Sequence, residues 1–235
     1  MVKILSIGNS FSNDAHRYLH RLAKNEGVEM KCVNLSIGGC SLGRHYRNML
    51  GNKNEYAFEF NGEDTGIKVS IEQALLSDEW DYITLQQASH YAPFYETYVP
   101  YLQNLAEYVR TYSPKSKIFL QQTWAYEQDS KRLNEELGFA DQHDMLDKVV
   151  SSYNEAARDI KADGIIPSGE AMMKAIDSGI KKMHRDTFHA DLGIGRYLIA
   201  CTWYETLTGD KPKNKFTDFD VEVSESDLQI LRNIK

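Results

Sequence analysis

Short β-branched or aliphatic runs alternate along this chain with stretches whose apolar residues recur at helical spacing. Residues 2–7 read as a first strand. Residues 13–25 follow as a helix with Ala15, Leu19, Leu22 and Ala23 on one face, and Gly27 suits its C-cap. A second strand covers residues 30–35. Residues 56–60 and 67–70 flank Asn61-Gly62 and predict a hairpin inserted into the alternation. A short helix starts over 71–76, and a third strand covers 81–85. A helix over 99–111, a fourth strand over 117–121, a long helix over 142–161 and a short fifth strand over 164–166 complete the repeat. A last helix spans 192–207, with Gly209 as its stop. Strands separated by helices imply right-handed crossovers, hence a three-layer α/β sandwich around a mostly parallel sheet of about five strands. No repeat, linker or low-complexity tract divides residues 1–235, so one domain is expected. Ligands of such sheets bind at the carboxyl ends of the strands. The loops after the first three strands are therefore where chemistry is sought.

Composition narrows the function classes. With 42% hydrophobic and 26% charged residues the chain can fill a core, and its net charge of −7 disfavours nucleic-acid partners. No apolar run approaches membrane-spanning length. The opening run ends at Gly8-Asn9-Ser10, too soon for a secretory h-region, and reads better as a strand. Cys32, Cys40 and Cys201 are odd in number and lack CxxC spacing, which suggests neither a disulfide framework nor a zinc site. A cytoplasmic setting is the simplest expectation, with a leader removed upstream left open.

Four segments carry candidate chemistry. Ser10 sits in the turn between first strand and first helix, where a hydroxyl is presented near free helix N–H groups. Ser10 or Ser12 equally suits a plain helix cap. Gly38-Gly39 after the second strand permits close backbone approach and oxyanion binding, or simply a turn. Gln86, Gln87 and His90 end the third strand with possible oxyanion donors. Asp186 stands three residues before His189, where a carboxylate can orient an imidazole base. Competing signals are weaker. Gly39-Cys40-Ser41-Leu42-Gly43 matches the G-x-S-x-G elbow, but with only one strand–helix unit ahead of it. His16 and His20 lie at i, i+4, yet Arg17 replaces the glutamate of H-E-x-x-H. His184, His189 and Asp191 form a second possible metal set, which keeps a metal-dependent hydrolase in view. Tyr91, Phe94, Tyr95, Tyr98, Tyr101, Trp124 and Tyr126 offer either a sugar-stacking wall or core packing.

In order and place these segments resemble the blocks of the SGNH (GDSL-like) hydrolases. Gly8-Asn9-Ser10 resembles the G-D-S block with Asn for Asp, Asn34 to Gly39 resembles N-x-G-x-x-G, and Asp186-x-x-His189 resembles the terminal D-x-x-H. Gly8-Asn9-Ser10-Phe11-Ser12, Leu85-Gln86, Ser89, Phe188-His189 and Trp203-Tyr204-Glu205 are similar to a bacterial branch of that family, so nearly the whole chain is covered. The resemblance implies a cofactor-free serine esterase with Ser10 as nucleophile, His189 as base and Asp186 as its orienter. It also implies the N–H groups of Ser10 and Gly39 in the oxyanion hole. Asn9, Phe11, Tyr91 and Trp124 are expected beside the substrate, a small-molecule ester such as an acetylated sugar. One departure stands out: the usual G-x-N-D is missing after the third strand, and Ala88 and His90 hold its Gly and Asn positions. His90 is the aligned replacement for the lost Asn donor, Gln87 is a further candidate, and Gln86 is favoured on chemical grounds. A degenerate, glycan-binding domain is the non-catalytic alternative.

Overall fold

The computed structural model describes residues 1–213 and 215–233. Strand β1 (Val2–Gly8) lies at the middle of the sheet, and Ile4, Leu5, Ser6 and Ile7 are all buried. Its continuous apolar run, without alternation, is what a parallel strand covered on both faces requires. Helix α1 (Ser10–Asn25) carries the chain to β2 (Met30–Ser36), which pairs in parallel with one edge of β1. Helix α2 (Leu42–Leu50), the hairpin β3 (Tyr56–Phe60) and β4 (Glu63–Val69), and helix α3 (Ile71–Leu76) then lead to β5 (Tyr82–Leu85). Strand β5 pairs in parallel with the other edge of β1. Helix α4 (Tyr101–Tyr112), β6 (Lys117–Gln121), α5 (Gln142–Ile160) and β7 (Gly164–Ile166) extend the parallel sheet. Helices α6 (Ser168–Asp177), α7 (Ile194–Thr208) and α8 (Glu225–Asn233) finish the described chain.

The strand order is β4-β3-β2-β1-β5-β6-β7. Five strands are parallel, as the alternation predicts, and the hairpin continues the sheet antiparallel from β2 to make seven. Strand β4 begins at residue 63, earlier than its apolar residues suggest. It is an exposed edge carrying Glu63, Asp64 and Lys68, charges that discourage pairing with another chain. Helices α1 and α7 pack on each other in one layer, and α2, α3, α4 and α5 pack in a second. The chain leaves β1 toward β2 and returns on the opposite side at β5. The carboxyl end of β1 is therefore the switch point where a crevice opens. Among the described residues no helix is long and apolar enough to cross a membrane.

Candidate active site

The switch point is built from the β1–α1 turn. Asn9 is extended and caps α1: its Oδ1 accepts from the Phe11 N–H at 2.9 Å, and its own N–H donates to Ser12 Oγ at 3.0 Å. Asn9 Nδ2 donates to the Cys40 carbonyl at 3.0 Å, tying this turn to the loop after β2. The helix thus starts at Ser10, three residues earlier than expected, and its cap is Asn9 with Ser12 rather than Ser10. The Ser10 hydroxyl is left free for other work. Gly8 has to be glycine here, because a Cβ would stand 2.3 Å from Ser12 Oγ.

That hydroxyl meets His189. Ser10 Oγ lies 2.8 Å from His189 Nε2, and His189 Nδ1 lies 2.8 Å from Asp186 Oδ2. The His189 N–H also donates to Asp186 Oδ1 at 2.9 Å. Burial pushes the Asp186 carboxyl up, but hydrogen bonds from the His189 ring and backbone outweigh it and hold the group below its ordinary range. An ionised carboxylate only accepts, so Nδ1 must carry the imidazole proton and Nε2 presents its lone pair to Ser10. The loop holding His189 is fixed from several sides. Arg185 closes it by donating its N–H to the His189 carbonyl at 3.0 Å. Trp124 Nε1 donates to the Phe188 carbonyl at 2.8 Å and stacks on Phe11 with centroids 4.3 Å apart. Thr187, at the tip, has a φ of +74°, strained for a β-branched residue, and its carbonyl accepts from the Glu127 N–H at 2.7 Å.

A cavity of about 360 Å³ opens over the pair, lined by Asn9, Ser10, Phe11, Gly38, Gly39, Ala88, Ser89, His90, Tyr126, Arg132, Phe188 and His189. Gly39 has a φ of +62° in the turn closed by the Cys40 N–H to Ile37 carbonyl bond. The N–H groups of Ser10 and Gly39 make no hydrogen bond among the described residues. Both residues line the cavity, and the dipole of α1 adds positive potential beside Ser10.

The structure separates the remaining candidates. His90 lines the cavity, and burial, then the nearby Arg132 charge, lower its pKa. Gln86, favoured as the third donor, lies outside the lining set: its Nε2 donates to Asn9 Oδ1 at 2.6 Å, so it braces the cap. Gln87 is likewise committed, its Oε1 accepting from the Leu42 and Ala88 N–H groups and its Nε2 donating to Thr97. Asn9 lines the cavity, but its side chain is occupied by Phe11, Gln86 and Cys40. Trp124 is fully buried, and Tyr91 is 42% exposed beside His90 but outside the lining set. Trp124 thus follows the core-packing alternative, and Tyr91 stands at the surface beside His90. Ser41 caps α2 through the Arg44 N–H, which accounts for the G-x-S-x-G match.

The possible metal sets are committed elsewhere. His16 Nε2 bonds Ser6 Oγ at 2.7 Å, with burial lowering its pKa to about 3, and His20 Nδ1 donates to the Met30 carbonyl. His184 Nε2 donates to the Ala125 carbonyl, and Asp191 Oδ1 accepts from the Gly193 and Ile194 N–H groups at the start of α7. Cys40 is buried against His45, and burial raises its thiol to about 12.

Asp14 and Arg132, which carry no sequence signal, complete the site together with residues already singled out. Asp14, fully buried on α1 one turn after Ser10, accepts from Arg185 Nη1 at 2.9 Å, Arg196 Nε at 2.8 Å and the Ala190 N–H at 3.2 Å. It thereby clamps the His189 loop to α1, the helix that carries Ser10. Ser89, Tyr126, Arg132 and Phe188 form the far wall, with Ser89 Oγ and Tyr126 Oη 2.9 Å apart.

Comparison with known proteins bears on the fold and the family. A search of curated proteins returns no match. A DUF4886 family protein from Bacteroides uniformis is 36% identical, with a TM-score of 0.86 over 99% of this chain and 93% of that one. A protein from Slackia heliotrinireducens, provisionally named an SGNH hydrolase, is 22% identical, with a TM-score of 0.64 over 88% and 98% of the two chains. A variant of an acetyl xylan esterase from Geobacillus stearothermophilus is 14% identical, with a TM-score of 0.55 over 95% and 97%. The latter two likenesses are of fold, and the fold is that of the SGNH hydrolases. The family model for the domain of unknown function DUF4886 matches residues 3–233, and the chain belongs to that family.

Proposed function

We propose that this chain is a serine-dependent carboxylic-ester hydrolase that removes a small acyl group, acetyl foremost, from a carbohydrate or related small molecule. The observation that carries the proposal is the Ser10–His189–Asp186 relay, two contacts of 2.8 Å at the floor of a small cavity. His189 takes the Ser10 proton at Nε2 as Oγ attacks the ester carbonyl, and Asp186 stabilises the imidazolium. The Ser10 and Gly39 N–H groups receive the oxyanion, with His90 as the side-chain donor in place of the lost Asn. His189 then protonates the departing alcohol, and water activated by the same ring releases the acid. The limited cavity favours a short acyl group. Phe11, Tyr126 and Phe188 supply the apolar wall against which a sugar ring can rest. The fold shared with an acetyl xylan esterase is consistent with such a substrate.

Initial rates on 4-nitrophenyl acetate, butyrate and octanoate, with acetate release from acetylated xylooligosaccharides, test the reading. Rates falling with chain length and acetate released from a sugar are expected. Preference for octanoate with no acetate from any sugar would overturn the substrate assignment, and activity retained in Ser10→Ala would overturn the mechanism.

A further inference from the structure

We infer that the cavity beside Ser10 selects esters that carry an anionic group, and that Arg132 is the residue that recognises it. The inference rests on the ester-hydrolase reading and narrows its substrate class. The chain as a whole has a net charge of −7, yet no Asp or Glu lines this cavity, whereas Arg132 and two histidines do. The Arg132 guanidinium lies over the Phe188 ring at 4.2 Å from its centroid. Phe188 in turn packs on the His189 ring at 4.0 Å, so the charge stands one aromatic ring away from the catalytic base.

Arg132 has no carboxylate partner among the described residues. Its neighbour Lys131 pairs with Glu135 at 3.8 Å, whereas Glu136, one turn beyond Arg132, makes no ion pair with it. The nearest catalytic carboxylate, Asp186, is occupied by His189. The Arg132 side chain also hydrogen-bonds the Tyr126 hydroxyl, and a guanidinium with five N–H donors can make that bond and still present a fork to a carboxylate or phosphate. Within a protein of overall negative charge, one cation without a carboxylate partner at the site gives anionic esters a local attraction that the rest of the surface denies them. The cavity is small, so the charge belongs within a few bonds of the scissile ester, on either its acyl or its alcohol half.

Matched substrates distinguish the two halves. On the acyl side, kcat/KM for 4-nitrophenyl hemisuccinate is compared with that for 4-nitrophenyl butyrate. On the alcohol side, 4-acetoxy-3-nitrobenzoate is compared with its uncharged amide. The wild-type enzyme should favour the anionic member of at least one pair by about tenfold or more. That ratio should collapse toward one in Arg132→Gln, persist in Arg132→Lys and shrink with added salt. Calorimetric binding of the same pairs to Ser10→Ala gives a readout without turnover. Equal hydrolysis of both members of each pair removes the anion site and leaves the esterase. Tighter binding of an anionic member with no hydrolysis of any ester leaves the anion site and removes the esterase. Equal binding with no hydrolysis removes both.

Discussion

At the scale of single residues, the chemistry follows from where each polar atom is already spent. Ser10 is free because Asn9 and Ser12 do the capping, and His189 Nε2 is free because Asp186 holds the proton on Nδ1. Ser10→Ala should lower kcat by about 10⁴-fold or more, read in steady-state hydrolysis of 4-nitrophenyl acetate. The oxyanion donors make a finer test. Removing one typically costs roughly a hundred- to a thousand-fold in kcat. His90→Ala should fall in that range with little change in KM. Gln86→Ala should instead lower the melting temperature, because it frees the Asn9 cap. If Gln86→Ala cripples turnover while His90→Ala stays near wild type, the roles are reversed. Asp186, with its depressed pKa, stays charged below the ordinary carboxylate range.

At the scale of elements, the site is a junction between α1 and the loop ahead of α7. Its sequence blocks were legible because each is local: a strand followed by Gly8-Asn9-Ser10, a glycine pair after the next strand, a D-x-x-H before a helix. What joins them was not legible. Asp14 and Arg185 are 171 residues apart, and Trp124 meets Phe188 across 64. No periodicity records such meetings. The start of α1 was obscured by a run of equally good caps, Asn9, Ser10, Ser12, Asn13 and Asp14, of which packing selects one. Helices α6 and α8 were not anticipated at all. Trp124 and Tyr91 read as substrate contacts because aromatic residues near a strand end look alike whether they face a cavity or the core. The Asp14 clamp carries its own prediction. Asp14→Ala leaves Arg185 and Arg196 without their buried anion, and should destabilise the fold by about 3–5 kcal/mol in urea titration. Asp14→Asn, which keeps the shape, should lower kcat more than it raises KM, because the His189 loop loosens. Unchanged stability in Asp14→Ala would show that the clamp contributes little.

At the scale of the whole molecule, the sheet order puts the switch point at β1, and the alternation of strands and helices was enough to anticipate that crevice. The hairpin was legible from Asn61-Gly62, but its place in the sheet was not, since an exposed, charged edge strand lacks the apolar pattern of a buried one. That hairpin buries Glu59, which accepts from Asn13 Nδ2 at 2.6 Å and Asn34 Nδ2 at 2.8 Å. Burial raises its pKa from 4.5 to about 7 against the pull of those bonds. The native state therefore binds this proton more tightly than the unfolded chain does. Its stabilising contribution is full below about pH 4.5 and is lost as the pH rises toward 7. Urea titrations across that window should show Glu59→Gln with a flatter dependence than wild type; parallel profiles would contradict the assignment.

The proposed nucleophile is Ser10, whose Oγ lies 2.8 Å from His189 Nε2. Wild-type protein treated with a fluorophosphonate should carry one adduct, and peptide mapping by mass spectrometry should place it on Ser10, with labelling absent from Ser10→Ala and slowed in His189→Ala. An adduct on Ser41 or Ser89, or labelling that persists in Ser10→Ala, would show that Ser10 is not the nucleophile.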